Sequence, residues 1–436
     1  MKIHFIGIGG IGMSGLAKYY LEKGHKITGS DLAFSEITDW FKKQGVKLFM
    51  GKHSSENVAD DVDLIIYSPA VSEDNLELRE AHQLQAKNQK VEILSYPQAL
   101  GKLTKKHFTI AVTGTHGKST TTSMIGLLLI KAGLDPTVIV GTKLKEFEDS
   151  SCRVGNSKYL VIEACEHFES FLNYYPNIIV LTTIEAEHLD YYKNLENVIK
   201  GFKKFVANLE KDGTVIANKD DENTKKIIKD AIWYSLKDKE VKEMREILKV
   251  PGEFNISNAL AALSVARILK IKDEISLKAL SEYKGSWRRF EENQITVNGK
   301  QITLVDDYGH HPTEIKVTLK AAREKFPEKQ IWCVFQPHQY QRTYYLLDDF
   351  IKTFKQAPID KLVIINIYDV AGREEKEIRE KISSKKLVQA VNKDSVIYIT
   401  KEGVIKFLKQ NLSGGEIVII MGAGDIYEDI SLKLKA

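Results

Sequence analysis

Residues 107–130 read His-Phe-Thr-Ile-Ala-Val-Thr-Gly-Thr-His-Gly-Lys-Ser-Thr-Thr-Thr-Ser-Met-Ile-Gly-Leu-Leu-Leu-Ile. The β-branched run Phe108 to Thr113 predicts a buried strand. It breaks at Gly114-Thr115-His116-Gly117-Lys118-Ser119-Thr120, and a helix pattern follows with Met124, Ile125, Leu127, Leu128, Leu129 and Ile130 as its apolar face. Strand, glycine loop, Lys-Ser and helix form the layout of a phosphate-binding loop. Glycines let backbone N–H groups approach phosphates, and the helix N-terminus favours the anion. Lys118 neutralises the terminal phosphates, and Ser119 is placed to hold Mg²⁺. Val112 stands where the general motif has a further glycine, so this is a shortened form of the loop. The stretch predicts an ATP site on an α/β scaffold.

At 436 residues the chain is long enough for two to four domains, each with its own core. Its 63 basic and 59 acidic residues leave a net charge of +4, too small to argue for nucleic acid. The three cysteines, Cys152, Cys165 and Cys333, form no CxxC pair and read as reduced thiols of a cytoplasmic protein. No apolar run approaches the length of a signal peptide core plus anchor or of a membrane span. There is no low-complexity tract and no repeat.

Upstream, Lys2 to Ile6 predicts a strand that runs into Gly7-Ile8-Gly9-Gly10-Ile11-Gly12, followed by a helix from Ser14 to Lys23 that Gly24 closes. A second strand, Lys26 to Asp31, ends in an acid. This is a dinucleotide fingerprint, with glycines against a pyrophosphate and Asp31 beside a ribose hydroxyl. Three readings stay open at this point: NAD(P), another nucleoside diphosphate, or a tight turn that simply needs glycine. Further strands are expected at Val46–Met50 and Asp63–Ser68, with helices near Ser35–Lys43 and Leu76–Lys87.

Downstream, Tyr159 to Glu163 is an apolar strand ending in a carboxylate placed to reach a Mg²⁺ held by Ser119. Ile178–Thr183 is another, followed by Ile184-Glu185-Ala186-Glu187-His188-Leu189-Asp190. His188 is a metal ligand or a capping and packing residue. Thr214–Asn218 is a strand, and the lysine- and glutamate-rich stretch 219–250 reads as a solvated helical face with a strand-like trace at Trp233-Tyr234-Ser235. Pro251-Gly252-Glu253-Phe254-Asn255-Ile256-Ser257-Asn258 opens an alanine-rich helix, where Asn255 either caps or contacts ligand. From Trp287-Arg288-Arg289-Phe290 onward, strands end in polar loops: Asp306 to Thr313, Gln336 to Thr343, Tyr368 to Arg373, and Gly422 to Asp425. His, Arg and Asp concentrated at one edge point to catalysis.

These residues resemble the Mur ligases of bacterial peptidoglycan synthesis. The resemblance rests on Gly7–Ala17, Gly29-Ser30-Asp31, Gly114–Thr122, Glu163-Ala164, His188-Leu189-Asp190, Arg288-Arg289-Phe290, Asp306–Glu314 and Met421–Ile426, and covers essentially the whole chain. It implies an α/β fold of three domains. These are a Rossmann-like UDP-sugar domain (1–105), a central P-loop ATPase-type domain (106–285) and a C-terminal Rossmann-like ligase domain (286–436). It turns the first fingerprint toward UDP. The implied reaction joins L-alanine to the lactyl carboxylate of UDP-N-acetylmuramate through an acyl phosphate, with ATP and Mg²⁺, in the cytoplasm, by a monomer or weak homodimer.

By the same resemblance Gly9, Gly10, Ile11, Gly12, Ser30, Asp31 and Ser68 bind the UDP-sugar. Gly114 to Thr120, Asn255, Asn258, Arg289 and Asp307 bind ATP, and Ser119, Glu163 and His188 face the metal. Tyr308, His310, His338 and Arg342 serve the amino acid and the acyl phosphate; with Lys118, Glu163 and His188, the last three of these make up the catalytic set. No single residue is singled out as the base for the amine. Three departures from the family pattern stand out. Phe254 replaces a histidine, the substrate loop reads His338-Gln339-Tyr340-Gln341-Arg342 with one arginine missing, and 219–250 is shortened, as if a hairpin were absent. Lys200 and Lys203 follow His188 where sister ligases carry a carbamylated lysine, without either being assigned. The competing readings are a recycling ligase that attaches a whole tripeptide, an NAD-binding oxidoreductase built on 7–31, and a non-catalytic binding protein.

Overall fold

The computed structural model describes residues 1–370 and 375–436, so Ala371, Gly372 and Arg373 of the expected polar loop lie outside the described residues. Three sheets carry the fold. The first contains β1 (Lys2–Ile6), β2 (Lys26–Asp31), β3 (Lys47–Met50), β4 (Leu64–Tyr67) and β5 (Glu92–Ser95). Their order is β3-β2-β1-β4-β5 and every pairing is parallel. The order reverses on either side of β1, so a crevice opens at its C-terminal end. Gly7 to Gly12 stand there, and the helix Ile11–Glu22 follows. It begins three residues before the expected Ser14, with Gly10 as its N-cap.

The second sheet contains β6 (Phe108–Thr113), β7 (Thr137–Leu144), β8 (Ser150–Arg153), β9 (Tyr159–Glu163), β10 (Ile178–Leu181), β11 (Thr214–Asn218) and β12 (Ile232–Tyr234). The order β12-β11-β10-β6-β9-β7-β8 puts the phosphate-loop strand β6 at the centre. Every pairing is parallel except β7 with β8. Ile110, Ala111 and Val112 are fully buried, as a central parallel strand covered on both faces requires. The 219–250 stretch differs from a plain helical face. It holds the helix Glu222–Ile227, the outer strand β12 and the helix Val241–Ile247, with Trp233 registered on Ala217 of β11. Burial of Tyr234 on one side of a three-residue strand explains why so charged a segment joins a sheet.

The third sheet contains β13 (Glu291–Val297), β14 (Lys300–Asp307), β15 (Ile331–Phe335), β16 (Lys361–Ile364), β17 (Val396–Tyr398) and β18 (Ile417–Met421). Its order is β13-β14-β18-β15-β16-β17, parallel except for the β13–β14 hairpin. Apolar clusters cover both faces, one around Phe335, Phe350 and Phe354, the other around Val334, Val363 and Val418.

By packing the chain forms two units. One joins Met1–Glu185, Glu196–Ile247 and Ser257–Glu282 and contains the first two sheets; the other joins Ala186–Leu195, Leu248–Ile256 and Tyr283–Ala436 and contains the third. Within the first unit the glycine-loop helix also packs on the hairpin of β7 and β8, where Gly15 faces Ile139, Ser151 and Cys152. Ser151 Oγ donates to the carbonyl of Ile11 at 2.9 Å, and so does Ser14 Oγ at 2.9 Å. The second sheet thus helps to hold the glycine loop of the first. No helix of the described residues is long and apolar enough to cross a membrane.

The helix Tyr96–Thr104 ties the first sheet to the segment after β9 through Gly101, where a Cβ would lie 2.3 Å from the carbonyl oxygen of Asn173. That obstacle is backbone and cannot rotate away. Gly101→Ala is expected to destabilise the first unit by about 1–3 kcal/mol, read as a lower urea midpoint by circular dichroism.

Candidate functional site

In the first unit, strand ends carry three groups of polar side chains. Beyond β1, the N–H groups of Gly7 and Ile8 donate to the carbonyl of Ser30, at 2.8 and 3.0 Å, and Gly9 N–H donates to Asp31 Oδ2 at 2.8 Å. Ser68 packs on Gly7, where a Cβ would meet the serine Cβ at 3.1 Å. Gly7 has φ of +83°, a conformation that glycine reaches without strain. The structure therefore brings Gly9, Gly10, Ile11, Gly12, Ser30, Asp31 and Ser68 together at one edge. Behind them lies a residue that the sequence reading passed over. The buried Glu77 carboxylate accepts from Ser30 Oγ (2.6 Å), Asn57 Nδ2 (2.7 Å), His53 Nδ1 (2.9 Å) and His4 Nε2 (3.0 Å). Burial alone would raise its pKa, but these four partners outweigh it and hold the group at about 2.

Beyond β6, the phosphate loop is clamped by the residues that follow β10. Thr115 N–H donates to the Thr183 carbonyl at 2.7 Å, and Thr182 Oγ1 donates to the His116 carbonyl at 2.6 Å. Gly114 (φ +135°) and Gly117 (φ +82°) have left-handed backbone, and at both a Cβ would collide, with Thr182 Oγ1 at 2.0 Å and Asn258 Oδ1 at 2.5 Å. Asn258 thus sits against the loop.

Lys118 Nζ donates to the carbonyls of Gly114 (2.6 Å) and Thr115 (3.1 Å) and pairs with Glu166 at 3.0 Å. Burial would lower the ammonium pKa, yet Glu166 outweighs it and the net shift is upward, so the group stays charged. Ser119 Oγ donates to Glu163 Oε2 at 2.8 Å, and the same oxygen accepts Gly141 N–H at 2.8 Å. A hydroxyl and a carboxylate side by side are hard oxygen donors of the kind Mg²⁺ takes.

The second unit holds the rest. Glu187, nearly fully buried, accepts from Arg342 NH2 at 2.6 Å and from its Nε at 3.1 Å. Burial would raise this carboxyl; Arg342 and the neighbouring histidines outweigh it and hold it well below the usual range. Arg342 also donates to the carbonyl of His338 at 3.1 Å. His338 stacks on Tyr368, with centroids 5.4 Å apart and planes at 14°, and His310 lies 5.7 Å from His338. Burial, with Arg342 nearby, lowers His310 to about 4, which keeps the imidazole neutral at pH 7.

Asp307 accepts the N–H groups of Gly309 (2.8 Å) and Phe290 (3.0 Å), and burial pushes it up to about 6 against the pull of Arg289. Arg289 approaches Glu314 at 3.8 Å and the Tyr308 ring at 5.2 Å. Asn255 Nδ2 donates to the Pro251 carbonyl at 2.7 Å, a bond local to the helix start. His188, with φ of +53°, occupies the N-cap position of the short helix Leu189–Tyr192.

Glu166 and Glu187, the carboxylates paired with Lys118 and Arg342, are further site members that the sequence reading did not single out. Each lies one to three residues from one that it did, Glu163 and His188, so the signal was adjacency in Glu163-Ala164-Cys165-Glu166 and Glu187-His188.

A glycine-loop sheet, a sheet whose central parallel strand runs into a phosphate-loop pattern, and a third sheet whose strand ends carry histidine and arginine define a three-sheet α/β protein. Residues 2–108 match the catalytic domain of the Mur ligase family, residues 112–247 the Mur ligase middle domain, and residues 288–424 the Mur ligase glutamate ligase domain. The UDP-N-acetylmuramate–L-alanine ligase of Acetivibrio thermocellus is 42% identical, with 99% of this chain and 95% of the relative aligned. That of Caldanaerobacter subterraneus is 40% identical, with 98% and 96% aligned. The crystal structure of UDP-N-acetylmuramate-alanine ligase from Thermotoga maritima superposes with a TM-score of 0.78 at 29% identity, covering 98% of this chain and 97% of that one. The chain belongs to the Mur ligase family.

Glu77 gives the first unit a defined acid limit. Its folded pKa of about 2 lies below its ordinary value of 4.5, so its contribution is complete above about 4.5 and is lost as pH falls toward 2. Glu77→Gln is expected to lower stability at pH 7 and to flatten its fall between pH 4.5 and 2, measured by urea titrations across that range.

Proposed function

We propose that this chain joins L-alanine to the lactyl carboxylate of UDP-N-acetylmuramate, with ATP converted to ADP and phosphate, in peptidoglycan precursor synthesis. The observation that carries the reading is full-length identity of 38–42% to proteins bearing that activity in their names. A carboxylate is a poor acyl donor. Its oxygen therefore attacks the γ-phosphorus, the bond from that phosphorus to the β-bridging oxygen breaks, and ADP leaves. The alanine amine then attacks the acyl phosphate carbon, gives up a proton, and expels phosphate from the tetrahedral intermediate.

In this reading Gly9, Gly10, Ile11, Gly12, Ser30, Asp31 and Ser68 hold the UDP-sugar, within a domain of residues 1–105. The N–H groups of Gly114 to Thr120 and the Lys118 ammonium cradle the ATP phosphates in a domain of residues 106–285, where Asn258 supports the loop. Asn255, Arg289 and Asp307 serve the nucleotide. Tyr308, His310, His338 and Arg342, in a domain of residues 286–436, serve the amino acid and the acyl phosphate. Ser119, Glu163 and His188 would hold Mg²⁺, which neutralises the charge of crowded phosphates when bound. The protein works in the cytoplasm as a monomer or weak homodimer.

Phosphate release with UDP-N-acetylmuramate, ATP and Mg²⁺ across L-alanine, L-serine, glycine and the tripeptide tests the amino acid. Release with L-alanine is expected; release with the tripeptide alone would overturn the assignment. Lys118→Ala is expected to cut kcat/KM by at least about a hundredfold, roughly 3 kcal/mol of transition-state stabilisation. Normal turnover by that variant would remove the phosphate-loop reading.

A further inference from the structure

Tyr96 belongs to no motif, yet it stands where two phosphate-binding sites of the first unit meet. It follows β5 directly, and Ser95, the last residue of that strand, registers on Tyr67 of β4, the residue before Ser68. Tyr96 is therefore at the ligand-binding edge of the first sheet. Its phenol lies over the first turn of the glycine-loop helix, since a Cβ at Gly12 would be 3.0 Å from both Tyr96 Oη and Cζ. The ring accounts for a glycine inside a helix, where glycine costs stability.

On its other side the phenol lies within electrostatic reach of Glu163, the carboxylate that orients Ser119 of the phosphate loop. Among the described residues none hydrogen-bonds the Tyr96 hydroxyl, and the residue is partly accessible to solvent. A phenol, which ordinarily titrates at about 10, is protonated at neutral pH and can donate. A phenol at a solvent-reached edge can exchange water for a ligand oxygen.

On the ligase reading, the substrate carries a diphosphate at one end of a hexose and a carboxylate on the other side of the same ring. The diphosphate belongs at the N-terminus of the helix Ile11–Glu22, and the carboxylate must reach the γ-phosphate held beside Ser119. The hexose has to bridge these two points, and Tyr96 lies between them. We infer that Tyr96 is a substrate-binding residue, its ring against the muramyl sugar and its hydroxyl donating to the lactyl carboxylate. A neutral donor suits this place, because the lactyl carboxylate arrives beside the negative Glu163. A phenol satisfies one lone pair of the incoming anion and leaves the other oxygen free to attack phosphorus.

The test compares the full chain with its Tyr96→Phe variant, which keeps the ring and removes only the hydroxyl. Titration calorimetry measures UDP-N-acetylmuramate and UDP, and steady-state rates give KM for ATP. The variant is expected to bind UDP-N-acetylmuramate about tenfold more weakly, the loss typical of a hydrogen bond to a charged group. Its affinity for UDP and its KM for ATP should stay within about twofold. Equal affinity of both proteins for UDP-N-acetylmuramate would overturn the inference. Equal weakening toward UDP would overturn it too, since the hydroxyl would then act on the glycine loop. If the parent binds UDP-N-acetylmuramate without releasing phosphate when L-alanine and ATP are added, the ligase reading fails, and the calorimetric comparison still decides the role of Tyr96.

Discussion

The Lys118 ammonium is the charge on which the middle of this protein depends. It is buried, and an unpaired buried ammonium would shed its proton or unfold its surroundings. Two loop carbonyls and Glu166 prevent that, and the carbonyls it grips belong to Gly114 and Thr115. The lysine therefore closes the phosphate loop on itself. The left-handed glycines, the clamp from Thr182 and Thr183, and the buried strand β6 all serve to present that one cation at a helix N-terminus.

Pairing before substrate arrives recurs through both units. Lys118 has Glu166, Arg342 has Glu187, Ser119 has Glu163, and Ser30 has Glu77. Each of these four donors already rests on a carboxylate. On the proposed reading, binding of phosphate at such a donor would be an exchange of partners rather than the burial of a bare charge. Such exchanges cost little desolvation and favour the ligand with the higher charge density.

How much of this could be read from residues alone follows from the range of each interaction. The phosphate loop was legible because strand, glycines, lysine and helix are contiguous. The first glycine loop was legible for the same reason, although its ligand was not, since a helix N-terminus recognises pyrophosphate whatever is attached. The ion pairs were not legible: Glu166 meets a lysine 48 residues away, and Glu187 an arginine 155 residues away. Strand β13 escaped because its exposed edge alternates with polar residues. Asn298-Gly299, both with positive φ (+49° and +76°), nevertheless mark its hairpin turn. Strand β12 showed only as a trace at Trp233-Tyr234, because Tyr234 alone is buried in a charged surrounding.

The substrate loop shows where pairing meets specificity. Gln339 and Gln341 stand beside a single guanidinium, Arg342, and Gln339 is held by its own backbone, with φ of +75° and its N–H on the Tyr368 carbonyl at 3.0 Å. Arg342 is committed to Glu187 and to His338. A loop with one arginine has no second guanidinium to offer a carboxylate. Replacement of arginine by glutamine trades a charged donor for a neutral one, which weakens recognition of any carboxylate but weakens it least for a small amino acid that fits closely. On the ligase reading proposed above, the neutral amides of Gln339 and Gln341 would leave this loop to discriminate by steric fit more than by charge.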